Sequence, residues 1–447
     1  MSSIQIQRKT WSSRVGYVLA SAGAAVGLGA IWKFPYMAGA SGGSAFVFPY
    51  IILTFTVGLA LLIAEVALGR AGRGGIVTAY RNLAGNIWTI PGYVGVLTGF
   101  LVLCFYSAIG GWTFAYFADA LTGSALSTDQ ASLGARFTEL TANPVMALGF
   151  QWLFLLLNGL IVALDVTKGI ERVSKFLMPL MGLMMIVLIV RGVTLPGAWE
   201  GVEYLLAFRP EAFTMQACLE AMGFTFFSLC VGCGCMLTYG SYLDSKTDLF
   251  TSCSWIALLG VIASLLGGLM IMPAVFAFGL DPSAGPGLTF ITMPAVFSQI
   301  PFGHFFAILF YFCIVIAAIT SSVSMLEIIV AFLVDERGMS RAGAAMLATV
   351  LLTIVGALPC LSFGRLADVK YWGMNFFDLF DTFTSKLSLP IGGLIIAFLA
   401  GYWAWPKTKI VLQSPYTYPA SYYKLFRFVL LALSPILVLT VLISGFA

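Results

Sequence analysis

Apolar runs of about twenty residues recur along this chain, and no other feature limits its fold so tightly. At ~1.5 Å per residue, a helix needs roughly 20 such residues to cross the ~30 Å hydrocarbon interior of a bilayer. Eleven candidate runs can be marked, at about 14–38, 43–69, 91–118, 145–164, 173–193, 215–240, 251–279, 303–333, 342–361, 387–405 and 425–446. Short connections between them carry turn residues and charges, as in Ala71-Gly72-Arg73-Gly74-Gly75 and Asp335-Glu336-Arg337-Gly338. The longest non-apolar connections are 119–144 and 194–214. Charged residues are only 9% of the 447, against ~25% in an ordinary globular domain, while 60% are apolar. Too few charges remain to coat a water-facing surface. Soluble enzymes, secreted disulfide scaffolds, disordered chains and nucleic-acid binders are thereby disfavoured. The expected fold is an all-α polytopic membrane protein, with residues 1–447 forming a single transmembrane domain in contact with the lipid bilayer.

The cations give an orientation. With the N-terminus inside, sixteen of the 23 Lys and Arg fall on the cytoplasmic side: Arg8, Lys9, Arg14, Arg70, Arg73, Arg81, Lys168, Arg172, Lys175, Lys246, Arg337, Arg341, Lys407, Lys409, Lys424 and Arg427. The positive-inside rule therefore predicts a cytoplasmic N-terminus and, after eleven spans, an extracytoplasmic C-terminus, in the inner or plasma membrane of the cell. The eight cysteines lie mostly within apolar runs and read as small buried side chains. Cys230, Cys233 and Cys235 form a C-x2-C-x-C pattern, but an apolar helix without a nearby histidine is a poor zinc site. Catalysis lacks material: His304 is the one histidine, and there is no nucleophile elbow or metal-binding His pair. Neither enzymatic activity nor an organic cofactor is expected.

Two runs are interrupted. The first contains Gly23-Ala24-Ala25-Val26-Gly27-Leu28-Gly29, and the sixth contains Gly232-Cys233-Gly234. Each glycine weakens a helix by ~1 kcal/mol relative to alanine. Backbone groups exposed at that depth cost more unless they line a cavity. A single Gly-x-Gly is accounted for by close packing, since small residues let neighbouring helices approach. Two of them, five spans apart, fit a five-plus-five inverted repeat in which helices 1 and 6 are unwound at the midplane and form a substrate site there. The repeats would run about 11–193 and 215–405, with an additional helix at about 425–446.

The residues around these interruptions carry a family resemblance. Trp11, Arg14 and the segment Gly23-Ala24-Ala25-Val26-Gly27-Leu28-Gly29-Ala30-Ile31-Trp32-Lys33-Phe34-Pro35 resemble the first-helix signature of the neurotransmitter:sodium symporters. Gly42-Gly43-Ser44-Ala45-Phe46-Val47-Phe48-Pro49-Tyr50, Glu65-Val66-Ala67-Leu68-Gly69-Arg70, Thr238-Tyr239-Gly240-Ser241-Tyr242 and Thr320-Ser321-Ser322 are similar to further motifs of that family, in the same order. The resemblance covers essentially the whole chain and points to the bacterial amino-acid transporter branch. It implies a sodium-coupled symporter that imports amino acids by alternating access.

An amino acid within a membrane needs its carboxylate and ammonium satisfied together. Half-helix N-termini offer unpaired N–H groups to the first, and freed carbonyls accept from the second. By resemblance, the Leu28 and Gly29 N–H groups hold the carboxylate, helped by the Tyr106 hydroxyl, in a site bounded by Ala24, Ala25, Gly27 and Ser228. Monoamine-transporting relatives place an aspartate at the position of Gly27, so a glycine there implies a substrate that brings its own carboxylate. The side-chain pocket would be lined by Ala24, Val102, Phe227, Cys230, Cys233, Ser321 and Met325. Cys233 stands where a bacterial relative has a bulky aromatic, which leaves room for hydrophobic or aromatic L-amino acids.

Sodium needs a dry cage of oxygens. By resemblance, the carbonyls of Gly23, Val26 and Ala317 with the hydroxyls of Thr320 and Ser321 form the family's second sodium site. The competing expectation is that these hydroxyls bond back to their own helix. The first sodium site does not carry over, because its ligand positions fall on Ala30, Leu259 and Ala263, which offer no side-chain oxygen, and only Ser228 keeps a hydroxyl. One coupled Na+ and no chloride are expected. Glu65 and Glu327 are intramembrane acids; a structural partnership with unwound backbone is the favoured role, proton coupling the alternative. The gates implied by resemblance are Arg8 with Asp335, flanked by Trp11 and Tyr242, on the inside, and Lys33 outside, where Thr384 falls at the usual aspartate and Asp381 lies a turn earlier. A proton-coupled transporter of the same architecture is the nearest alternative; a channel or non-transporting scaffold is a more distant one.

Overall fold

The computed structural model describes residues 10–124, 126–283, 285 and 287–444. Arg8 and Lys9 of the expected cytoplasmic set lie outside them. Among the described residues the fold is helical throughout, with one isolated bridge, Tyr371 to Met374, and no named strand. Helices α1 (Arg14–Ala25) and α2 (Gly29–Ala40) form a pair bent by 44°. They are followed by α3 (Ser44–Gly72), α4 (Ile76–Ala84), α5 (Asn86–Thr122), α6 (Gln130–Ala142), α7 (Pro144–Leu164), α8 (Val166–Val193) and α9 (Trp199–Leu206). Then come α10 (Met215–Ser228), α11 (Cys235–Gly240), α12 (Leu249–Ala277), α13 (Leu288–Ser298) and α14 (Gly303–Arg337). The chain ends with α15 (Arg341–Cys360), α16 (Phe376–Trp403), α17 (Trp405–Leu412) and α18 (Ala420–Ile443).

Nine of these described helices are long and apolar enough to cross a membrane, ten when α1 and α2 are taken as one span. The run at 215–240, expected to be interrupted at Gly232-Cys233-Gly234, is two helices, α10 and α11, separated by six residues. Helix α16 begins at Phe376, well before the apolar run at 387, because Asn375 accepts a hydrogen bond from the Asp378 N–H and caps the first turn. The connections 119–144 and 194–214 hold the short helices α6 and α9, which hydropathy did not mark. Other starts follow the same capping chemistry, with Ser13, Asn143, Asp248 and Ser340 each accepting from the first turn of the helix it precedes.

Helices α5 and α14 pack along each other at the centre and are mostly buried, whereas α7, α8 and α18 expose most of their apolar surface. One end of the bundle is cationic. Arg70 donates to the carbonyls of Thr247, Val411 and Ser414, Arg81 pairs with Glu336, and Lys407 donates to the carbonyls of Asn82 and Leu83. The other end carries Lys33 with Asp381 and Arg136 with Asp119.

Helices α3 and α11 meet backbone to backbone. A Cβ on Gly69 would overlap the Leu237 carbonyl, and one on Gly240 would overlap the Val66 carbonyl. The contact seats α11, the short second half of the sixth region, against an unbroken span. Gly240→Leu should therefore destabilise by ~1–3 kcal/mol, read as a lower unfolding temperature of the purified protein. Gly149→Ala, where nothing lies within 4 Å of the new methyl, should leave that temperature unchanged or slightly raised.

Candidate functional site

The site is built from a helix hydrogen bond that does not form. In an unbroken helix the Leu28 N–H would donate to the Ala24 carbonyl four residues back. Here α1 stops at Ala25, and the Leu28 N–H donates instead to the Tyr106 hydroxyl on α5 at 3.1 Å. The freed Ala24 carbonyl accepts from the Ser321 hydroxyl on α14 at 3.0 Å and from the Cys230 thiol at 3.2 Å. Three elements distant in sequence thus converge on one break. Gly27 sits inside it, and a Cβ there would overlap Ser321 and lie 2.8 Å from the Tyr106 hydroxyl oxygen. In this arrangement no side chain, an aspartate included, fits at position 27.

The sixth region breaks between Ser228 and Cys235. Gly232 and Gly234 take φ of 105° and 86°, values a glycine adopts freely, and Cys230 takes 51°, which is uncommon for a side-chain-bearing residue. Glu65, fully buried on α3, braces the loop: its carboxylate accepts from the Gly232 N–H at 3.0 Å and from the Leu237 N–H at 3.4 Å. Each of the three thiols faces a different backbone carbonyl. Cys230 donates to Ala24, Cys233 lies 3.7 Å from the Cys230 carbonyl, and Cys235 lies 3.7 Å from the Ser324 carbonyl.

Val102, Tyr106, Cys230, Cys233, Ser321 and Met325 are all buried. The Phe227 ring approaches the other side of the break, 3.2 Å from where a Cβ of Gly29 would stand. Lys33 Nζ lies 4.4 Å from the centre of that ring and 3.3 Å from the Asp381 carboxylate. Thr384 instead turns its hydroxyl to the Phe380 and Asp381 carbonyls of its own helix. Beyond Phe227 lies a cavity of about 380 Å³ bounded by Lys33, Tyr36, Glu220, Asp381 and Lys386. Of the residues expected to line the substrate pocket, Phe227 alone borders it.

The expected sodium ligands are close to one another. A Cβ on Gly23 would lie 3.3 Å from Thr320 Cβ, so α1 and α14 touch at this level. The Thr320 hydroxyl donates back to Ile316 and Ala317, and Ser321 alone reaches across to α1. At the other expected ion position, Ala30 is fully buried and its carbonyl packs against Gly267. Ala263 is buried as well, and the Ser228 hydroxyl is turned to the Thr225 carbonyl.

At the cationic end, the Trp11 indole N–H donates to the Tyr239 carbonyl at 3.0 Å, its backbone N–H to the Tyr242 carbonyl at 3.2 Å, and its ring meets both tyrosines edge-on. Asp335 accepts from the Gly75 N–H at 2.6 Å. Glu327 does not meet unwound backbone. It accepts from the Tyr242 hydroxyl at 2.6 Å and from both terminal nitrogens of Arg341, at 3.0 and 2.5 Å. Arg341 also donates to the Val162 carbonyl at 2.8 Å, tying α7 into the group. Counting Arg341 as an interfacial cation hid this pairing; the signal available was its place in the first turn of a helix directly after the one bearing Glu327. Removing one partner of such a pair leaves the other charge buried and unpaired, which costs ~3 kcal/mol or more. Glu327→Gln and Arg341→Gln should each lower the unfolding temperature clearly, and the double variant by less than the two losses together.

The model of the sodium:neurotransmitter symporter family matches residues 8–132 and 147–447. The uncharacterized sodium-dependent transporter YhdH of Bacillus subtilis is 43% identical over 388 residues, covering 87% of this chain and 86% of that protein. An uncharacterized sodium-dependent transporter of Haemophilus influenzae is 32% identical over the full length of both chains. The crystal structure of MhsT in complex with L-phenylalanine superposes with a TM-score of 0.91 at 38% identity, covering 98% of this chain and all of that one. The rat sodium- and chloride-dependent GABA transporter 2 is 27% identical over 444 residues.

Proposed function

Because the chain belongs to the sodium:neurotransmitter symporter family and is a sodium-dependent membrane transporter, we propose that it imports hydrophobic or aromatic L-amino acids by alternating access, driven by a single Na+ and without chloride. The observation that carries this reading is the redistributed Leu28–Ala24 pair. It leaves an N–H group and a carbonyl of the first helix facing Tyr106, Cys230 and Ser321, which is the chemistry a zwitterion requires. The phenylalanine bound to MhsT and the small Cys233 side chain support the substrate class.

In this reading the chain has eleven spans in two inverted repeats, the N-terminus is cytoplasmic and the C-terminus extracytoplasmic. The substrate sits among Ala24, Ala25, Gly27, Leu28, Gly29, Val102, Tyr106, Phe227, Ser228, Cys230, Cys233, Ser321 and Met325. Sodium, as the second transported species, takes the carbonyls of Gly23, Val26 and Ala317 with the hydroxyls of Thr320 and Ser321. That role requires Thr320 to release its own helix, a rotation about one side-chain bond. Lys33 and Asp381 over Phe227 form the outer closure, and Trp11, Tyr242 and Asp335 belong to the inner one.

Uptake of labelled amino acids into proteoliposomes tests the proposal, with sodium and proton gradients imposed separately. Uptake should follow sodium, saturate with a Hill coefficient near one, and persist when gluconate replaces chloride. A coefficient near two would sink the single-ion reading. Uptake driven by protons alone would favour the proton-coupled alternative, which the lack of side-chain oxygens at Ala30, Leu259 and Ala263 keeps open; in that case Glu327→Gln should abolish the pH dependence. Unlabelled tryptophan, tyrosine or leucine should compete, and Cys233→Phe should weaken competition by the largest of them. Tyr106→Phe removes the hydroxyl facing Leu28 and should raise KM by roughly tenfold, since a charged partner lost from a buried hydrogen bond is worth ~1.5–3 kcal/mol.

A further inference from the structure

A second cavity, of about 450 Å³, opens at the cationic end beside the start of α8, remote from Phe227 and from the broken helices' meeting point. Three cations border it: Lys168, Arg172 and Lys175. Lys175 is engaged, 2.7 Å from Glu171 and 3.2 Å from the Ser12 hydroxyl. Glu171 is itself almost fully buried and saturated, accepting from the Ser12 N–H at 2.9 Å and the Ser12 hydroxyl at 2.5 Å. Lys168 and Arg172 are exposed, and among the described residues neither side chain has an ion-pair partner. One carboxylate therefore faces three cations, and the cavity carries a net positive charge.

Spacing along α8 adds the second half of the argument. Lys168, Arg172 and Phe176 stand four residues apart and share a face. Phe176 borders the cavity and is 70% exposed. Further along the helix Leu183, Val187 and Val190 are exposed too. The face reads cation, cation, aromatic, then aliphatic, in the order in which a membrane passes from headgroup to acyl chain. A soluble anion would match the cations and leave the apolar column unused.

We propose that this cavity is a binding site for the headgroup of an anionic phospholipid, with the phosphate between Lys168 and Arg172 and an acyl chain along Phe176. Lys175 is shared with the Glu171 clasp that holds Ser12, so headgroup binding and the seating of Ser12 on α8 are linked, and each biases the other. This site does not depend on which solute the protein transports.

The test uses the purified full-length chain in native mass spectrometry, titrated with phosphatidylglycerol or with phosphatidylcholine of the same acyl chains. Phosphatidylglycerol should be retained in preference. Lys168→Gln with Arg172→Gln should weaken its binding by roughly thirtyfold, from ~1 kcal/mol per cation at an anionic headgroup. The charge-preserving pair Lys168→Arg with Arg172→Lys should retain it, as should Lys409→Gln with Lys424→Gln, which removes two exposed cations elsewhere. Glu171→Gln should increase retention, because it frees Lys175 and removes the one opposing charge. Equal retention of the two lipids, an equal loss in the Lys409/Lys424 control, or displacement of phosphatidylglycerol by millimolar inorganic phosphate would each overturn the proposal. An unchanged melting temperature for the variants separates lost binding from lost folding.

Discussion

The centre of this molecule is organised by two backbone groups that part company. Leu28 N–H and Ala24 C=O would satisfy each other in a continuous helix, and in a membrane neither can turn to water. Each must find a partner within the protein. Tyr106 supplies an acceptor for the N–H, while Ser321 and Cys230 supply donors for the carbonyl. The third, sixth and eighth apolar runs are thereby tied to the first at one level. The same requirement explains the buried carboxylate of Glu65. The second break frees the Gly232 and Leu237 N–H groups, and an acid on α3 accepts both. Without it, two donors would be buried unsatisfied, at ~1–3 kcal/mol each.

These substitutions make the breaks stable and also exchangeable. A hydroxyl or thiol bonded to a backbone group can be displaced by a ligand offering the same chemistry, whereas a helix hydrogen bond cannot without unwinding. Hydrogen bonds of the redistributed kind therefore suit a binding site, and their side chains coincide with the residues that resemble the family's substrate contacts. The Lys33 contact beyond them is of another type. Lys33 interacts with a ring and one carboxylate oxygen, a looser arrangement than the two-pronged grip of Arg341 on Glu327 at the opposite end.

Much of the architecture was legible in the chain itself. Apolar runs located the long helices, because burying twenty residues in lipid leaves a strong compositional trace. Gly23 to Gly29 and Gly232 to Gly234 located the breaks, because only positions without a side chain tolerate such close approach and such backbone angles. What escaped was decided by polar pairing and capping. Helices α6 and α9 are amphipathic and short, so hydropathy passes over them. The early start of α16 depends on one asparagine cap.

Residue by residue, the limit was the same. That Gly27, Tyr106 and Ser321 belong together could be inferred only through resemblance, since they lie on helices far apart in sequence. The choice between Asp381 and Thr384 beside Lys33 was left open by position, and geometry brings Asp381 to the lysine while Thr384 caps its own helix. For Glu327 the sequence offers only the nearness of Arg341, at the start of the next helix, and the structure pairs the two. The sequence alone determined which segments must be buried in lipid and where a helix must yield, because hydropathy and glycine act locally. Which side chain satisfies each freed or buried polar group was decided only by tertiary structure, because that partner is whichever group from a distant helix arrives within about 3 Å with the right donor or acceptor.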